Sequence, residues 1–115
     1  MVVLKHDWGE LTRVIIVDVK TKSSVQIEIC KRSLDAHGNH AFLFDLWVDK
    51  DRRDDGIGMS LLAKAEEVTK ELCQKSITLE HWADESPMWV RAWYLRRGYR
   101  IIGRKDNRVL MVKEL

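Results

Sequence analysis

A mixed α+β fold, built on one twisted and mostly antiparallel sheet with a single parallel strand pair, follows from three features of this 115-residue sequence. Alternating or continuous apolar runs occupy 13–19, 25–29, 41–48, 76–82, 99–103 and 108–112, each the length of a strand. Two helical stretches are expected, one with a three- and four-residue apolar period at 57–73 and one, opened by Ser86-Pro87 and closed by Gly98, that is apolar except for Arg91 up to Arg96. The first of these sits between two strand runs at the spacing of a βαβ crossover, which joins parallel strands. The predicted order is ββ-β-α-β-α-ββ, and the length fits a single domain over residues 1–115.

Taken in order, Arg13 to Val19 (RVIIVDV) and Val25 to Ile29 (VQIEI) flank the polar turn Thr21-Lys22-Ser23-Ser24 and read as an antiparallel hairpin. Ala41 to Val48 (AFLFDLWV) is apolar except for Asp45, the pattern of a central strand buried on both faces. Ile57, Leu61, Leu62, Ala65, Val68 and Leu72 then trace one face of a helix that runs to about Cys73, with Glu66 and Lys70 spaced to pair on its outer face. Ser76 to Trp82 (SITLEHW) alternates again. Ser86 is the expected N-cap of the second helix, Pro87 its first residue, and Gly98 lies just past its end. Inside that helix only Arg91 is clearly polar before Arg96, so more than one of its faces is expected to be covered. Tyr99 to Gly103 and Arg108 to Val112 close the chain as a hairpin around Lys105-Asp106-Asn107.

Composition bounds the function. With 45% hydrophobic and 33% charged residues, one proline and six glycines, the chain is neither disordered nor fibrous. The formal charge of +2 gives no global reason for a polyanion partner. Its distribution is uneven: residues 1–87 hold 12 basic and 16 acidic groups, while residues 88–113 hold eight basic and one acidic. Arginines interleaved with Trp89, Trp93 and Tyr99 are compatible with nucleic acid, but basic groups there also complement a helix C-terminus, and nucleic acid is not the expected partner. Cys30 and Cys73 form no CxxC, and the sequence shows no signal peptide or membrane-spanning run. A reducing cytoplasm is the expectation, with both thiols buried. His37 and His40 in HGNH read as a Gly/Asn turn rather than half of a metal site, so no metal is expected.

The segment that carries chemistry is the strand-to-helix junction from Val48 to Met59, in which Gly56 and Gly58 stand where the helix begins. Glycine there lets backbone N–H groups approach a ligand, and the positive end of the helix favours a phosphate. A tight turn with close helix–strand packing explains a GxG equally well. The surroundings add information. Arg53-x-x-Gly56-x-Gly58 resembles the (Arg/Gln)-x-x-Gly-x-(Gly/Ala) motif of the GNAT superfamily of acetyl-CoA-dependent N-acetyltransferases, and Trp93-Tyr94-Leu95-Arg96-Arg97-Gly98-Tyr99 resembles that superfamily's Φ-Tyr-x-x-x-Gly-(Phe/Tyr) segment. The resemblance covers about residues 11–113.

The resemblance implies a GNAT-like sheet whose parallel strands splay, with the pantetheine arm of acetyl-CoA along the backbone near Leu46 and Val48. It also implies that the backbone through Arg53, Asp54, Gly56, Ile57, Gly58 and Met59 holds the pyrophosphate, and that a Val48 amide serves as oxyanion donor. The implied activity is direct attack on acetyl-CoA by an amine of a small molecule or protein, in a ternary complex. Such an attack needs a base, because an alkyl amine with a pKa of about 10 is protonated at neutral pH. It also needs an acid for the departing thiolate. Tyr94 matches the family's acid, although a core aromatic capping a backbone group is the alternative. Glu80 and Asp45 both stand as candidate bases, with His81 a third.

Three departures follow. The strand and two helices that precede this core in relatives find no room before Leu11, so the chain reads as a short form with an acceptor site that is open or completed by another subunit. Asp54 and Asp55 oppose phosphate, and Pro87 replaces the family's common asparagine. Trp8, Trp47 and Trp89 exceed what a small core hides, which suggests a homodimer. A non-catalytic coenzyme A-binding or protein-interaction module is the alternative to an enzyme.

Overall fold

The structure, a computed structural model, describes residues 1–30, 40–49 and 56–115. Seven strands and two helices follow in the order β1 (Val2–Asp7), β2 (Leu11–Asp18), β3 (Ser23–Cys30), β4 (His40–Trp47), α1 (Ile57–Glu71), β5 (Ser76–Trp82), α2 (Met88–Arg96), β6 (Arg100–Lys105) and β7 (Arg108–Glu114). They form one sheet of order β1-β2-β3-β4-β5-β7-β6, antiparallel except for β4 and β5. This is the predicted mixed architecture, with one strand added in front. The HGNH turn lies outside the described residues apart from His40.

The core lies on one face of the sheet. Leu61, Leu62, Ala65 and Val68 of α1 pack onto Val14, Ile16, Val25, Ile27, Ala41, Leu43 and Ile77, all buried. Thr69 joins this face because its hydroxyl donates to the Ala65 carbonyl at 2.7 Å and so brings no unmet polar group inward. On β4 burial falls on Ala41 and Leu43, while Phe42 and Phe44 are half-buried on the other face. The expected burial of both faces is therefore corrected: α1 covers one face, and among the described residues no helix covers the second. The ring of Phe42 stacks on Phe44 at 5.9 Å, and Arg13 lies over Phe44 while pairing with Glu28 at 2.9 Å.

Strand β1 is absent from the predicted order, and it is one strand where relatives are expected to have a strand and two helices. It pairs with β2 from Val2↔Val17 to Asp7↔Thr12, and all six of its residues are exposed. A strand exposed on both faces carries no burial pattern for periodicity to find. The turn to β2 is short: the Gly9 N–H donates to Asp7 Oδ1 at 2.8 Å and Trp8 N–H to the Leu11 carbonyl at 2.8 Å.

Other expectations shift in detail. Cys30 and Cys73 are exposed, not buried, Cys30 closing an edgeward strand and Cys73 adopting a left-handed turn after α1. Glu66 does not pair with Lys70; it accepts Lys113 Nζ at 2.9 Å and the Tyr99 hydroxyl at 3.2 Å, joining α1 to the C-terminal hairpin. Pro87, not Ser86, is the N-cap of α2, and no side chain caps that end. Within α2 only Tyr94 is fully buried, while Met88, Trp89 and Leu95 are exposed.

The parallel pair is where the sheet opens. β4 and β5 pair only from His40↔Ser76 to Phe42↔Thr78, and then part. Opposite, β3 and β4 change register: Ser24 faces Trp47 but Gln26 faces Phe44, an extra residue on β4. Asp45 supplies the bulge with a left-handed φ of 52°, a conformation that aspartate tolerates better than most residues.

Candidate active site

A cavity of about 390 Å³ lies where β4 leaves β5. The end of β4 contributes Leu46, Trp47 and Val48, and the start of α1 contributes Gly56, Gly58 and Met59. The far wall is the approach to α2 and its first two turns, including Glu85, Pro87, Trp89, Trp93 and Tyr94. This size and mostly apolar lining suit one extended ligand.

The floor is a set of backbone donors. Gly56 caps α1 with φ 75° and ψ 12°, a left-handed conformation that glycine adopts without strain, and no side chain caps this end. The first helical bond runs from Ser60 N–H to the Gly56 carbonyl at 3.1 Å, so the N–H groups of Ile57, Gly58 and Met59 have no acceptor within the helix. No acidic residue occupies this first turn. The positive end of the helix dipole is thus left uncompensated within that turn, which suits a phosphate. Space is limited at Gly58, where an added Cβ would stand 3.6 Å from both Val48 Cγ2 and Trp93 Cζ2. A larger side chain there would fill the cleft between β4 and α2.

Tyr94 faces the same cavity. Its ring is 7% exposed and packs edge-on against Trp93 at 5.1 Å and Tyr99 at 5.5 Å. Among the described residues its hydroxyl makes no hydrogen bond, so it caps no backbone group. Burial pushes its pKa well above the ordinary tyrosine value, and the hydroxyl keeps its proton at neutral pH. Tyr99 behind it is raised as well, first by burial and then by the charge and hydrogen bond of Glu66.

The predicted site residues divide into groups. Leu46, Val48, Gly56, Gly58, Met59 and Tyr94 come together around the cavity. Ile57 turns its side chain toward the core and offers only its backbone. Arg53 and Asp54 lie outside the described residues. Asp45 is exposed at the bulge, so the expected cost of burying its carboxylate does not arise. Glu80 belongs to the half-buried side of β5, opposite the buried Ile77, Leu79 and His81. It accepts the Trp82 indole N–H at 3.1 Å and faces Arg108 at 3.6 Å. His81 is 2% exposed and has both ring nitrogens engaged within the protein.

Sequence reasoning missed Trp47, Glu85, Trp89 and Trp93 as lining residues. The signal was the apolar surplus of α2, which was assigned to core packing instead of to a cleft. Among the described residues, no group of three metal-ligating side chains occurs and no helix is long and apolar enough to cross a membrane.

The parallel pair parts beside the glycine-opened start of α1, and the comparisons place this arrangement in a known class. Residues 4–99 match the Acetyltransferase (GNAT) family, and the chain belongs to that family. Its fold is similar to an acetyltransferase from Bacillus cereus (24% identity, TM-score 0.68, covering 92% of this chain and 74% of that one). It is similar also to the PaiA N-acetyltransferase of Thermoplasma acidophilum in complex with coenzyme A (18% identity, TM-score 0.69, covering 92% of this chain and 62% of that one). A GNAT-family acetyltransferase from Staphylococcus aureus is a third such likeness (19% identity, TM-score 0.70, covering 93% and 69%). No curated protein matches the sequence.

Proposed function

We propose that this protein transfers the acetyl group of acetyl-CoA to an amine by direct attack in a ternary complex. The observation that carries the reading is one cavity holding both a helix-end set of backbone donors and a protonated, unengaged tyrosine hydroxyl. Acetyl-CoA supplies the activated acyl group as a thioester. The Ile57, Gly58 and Met59 amides bind its phosphates, and the apolar walls from Leu46 to Val48 and from Pro87 to Trp93 hold the arm between them. Tyr94 gives its proton to the departing thiolate.

The amine arrives from the opposite face of the sheet, through the gap left where β4 and β5 stop pairing. Glu80 lies on that face of β5, just past the last paired residue Thr78. Trp82 and Arg108 hold its carboxylate in place, and a bridging water carries the amine's proton to it. Asp45, on the other side of the gap, is the competing base. Calorimetric titration with acetyl-CoA tests the whole reading: micromolar to sub-millimolar binding is expected, and its absence at millimolar ligand overturns it.

One further observation concerns association. Trp47 and Trp89, 51% and 53% exposed, line the cleft, so a bound cofactor accounts for them. Trp8, at 56%, belongs instead with exposed Val2, Val3 and Leu4 on the unpaired edge strand β1. We assign this edge to a homodimer contact, because exposed apolar edge strands pair readily. Sedimentation showing a monomer at high concentration would remove the assignment.

A further inference from the structure

The approach to α2 forms one wall of the cleft, yet that helix begins without a capping side chain: Pro87 is its N-cap and cannot offer one. What fixes the helix end comes from the neighbouring strand. His81, on the buried side of β5, has Nε2 at 3.1 Å from the Pro87 carbonyl. Its Nδ1 lies 3.3 Å from Arg91 Nε, one turn further along α2. An arginine Nε always carries its proton at neutral pH, so Nδ1 must accept. The hydrogen of the neutral ring then sits on Nε2, pointed at the Pro87 carbonyl. One tautomer satisfies both contacts, whereas an imidazolium keeps the donation to Pro87 but sets a second N–H against the arginine at Nδ1.

We infer that His81 is a positioning residue for the cofactor cleft, a neutral imidazole that clamps the first turn of α2 to β5 and so fixes the wall formed by Pro87, Trp89 and Val90. The Pro87 carbonyl shows the clamp directly, since it takes the Val90 N–H at 3.0 Å as well as the imidazole. Among the described residues Arg91 makes no ion pair, so the ring nitrogen is what holds its guanidinium against the sheet. Arg91 is half-buried and reaches across His81 to do so. His81 thereby leaves the list of bases: a ring with both nitrogens committed to α2 takes no proton from an amine. The inference rests on the cleft being the acetyl-CoA site, but its geometry is testable without the cofactor.

Three variants separate the contacts. His81→Gln keeps an N–H donor at the reach of Nε2, His81→Asn keeps only an acceptor near Nδ1, and His81→Leu keeps volume alone. Removing the donor takes the cross-link between β5 and the Pro87 carbonyl away, leaving only the local Val90 N–H on it, so acetyl-CoA affinity is expected to weaken about tenfold in His81→Leu and His81→Asn, while His81→Gln stays within about threefold of the parent. Acetyl-CoA KM should rise in the same order, with kcat changing less, because Tyr94 lies beyond the clamped turn. Equal weakening in Gln and Leu variants, or none in either, overturns the inference. Should the Leu variant fail to fold, ring nitrogen shifts in the parent protein decide: an Nε2–H ring with a slowly exchanging Val90 amide supports the clamp, and an Nδ1–H ring refutes it. A parent protein that binds no acetyl-CoA refutes the function proposed above, while the ring shifts still report on the clamp.

Discussion

On β2 the side chains of Val14 and Ile16 are fully buried beneath α1, whereas Arg13, Ile15 and Val17, one residue along, are only partly covered. The contrast runs across the sheet. The helix side holds the core, the cleft, Tyr94 and His81; the bare side holds the Phe42–Phe44 stack, the Arg13–Glu28 pair, and Glu80 with Trp82 and Arg108. In the function proposed above, the helix side grips the cofactor and the other side admits the amine, and the two meet at the short stretch where β4 and β5 separate.

The sharpest test of this division is Tyr94→Phe. Loss of a general acid typically costs about a hundredfold or more, so turnover should fall by that order while acetyl-CoA affinity changes less than about threefold. A large loss of affinity instead would make Tyr94 a packing residue. Glu80→Gln comes next. If the bare side supplies the base, kcat drops about tenfold to a hundredfold, most steeply at low pH, again with cofactor binding unchanged; an unaltered rate transfers the role to Asp45.

Stability should divide the same way. Leu61→Ala, beneath the sheet's covered side, is expected to cost about 2–5 kcal/mol in chemical denaturation, whereas Phe44→Ala on the bare side should cost about 1 kcal/mol. Equal costs would mean that the bare side is covered in solution. The smallest effect is alkaline. Tyr94 and Tyr99 have folded pKa values raised above the ordinary 10.0, so they ionise first in the unfolded chain. Their contribution to stability is complete below about pH 10 and is lost as pH climbs toward the folded values. Thermal melts between pH 8 and 11 should show this decline, and Tyr94→Phe should lessen it.

How much of this was legible in the sequence depends on burial. The α1 face and the β5 alternation were plain because Leu61, Ala65 and Val68, or Ile77, Leu79 and His81, meet one apolar surface at a fixed period. Gly56 and Gly58 announced the donor set because only backbone was needed there. β1 was hidden because nothing buries it. Trp93 was missed because an apolar residue lining a cleft and one filling a core look alike in one dimension, and Trp89, read as surplus to the core, lines the cleft. Asp45 suggested a buried charge, where its actual use is conformational. The His81 contact depends on two positions ten residues apart in different elements, which no local pattern reveals.

β7 follows β6 in the chain but sits between β5 and β6 in the sheet. Until it arrives, β5 has one edge bare and the other tied to β4 by only three residue pairs, and neither Glu66 nor Glu80 has its cation from the last strand. The arrangement around Tyr94 and Glu80 therefore cannot mature step by step from the first strand onward. Because β6 pairs with β7 alone, folding is expected to end with the β6–β7 hairpin docking its β7 edge onto β5, and a loop closed across α2 and β6 sets its pace. Activity in a refolding chain should accordingly appear with the last kinetic phase rather than with the helix signal.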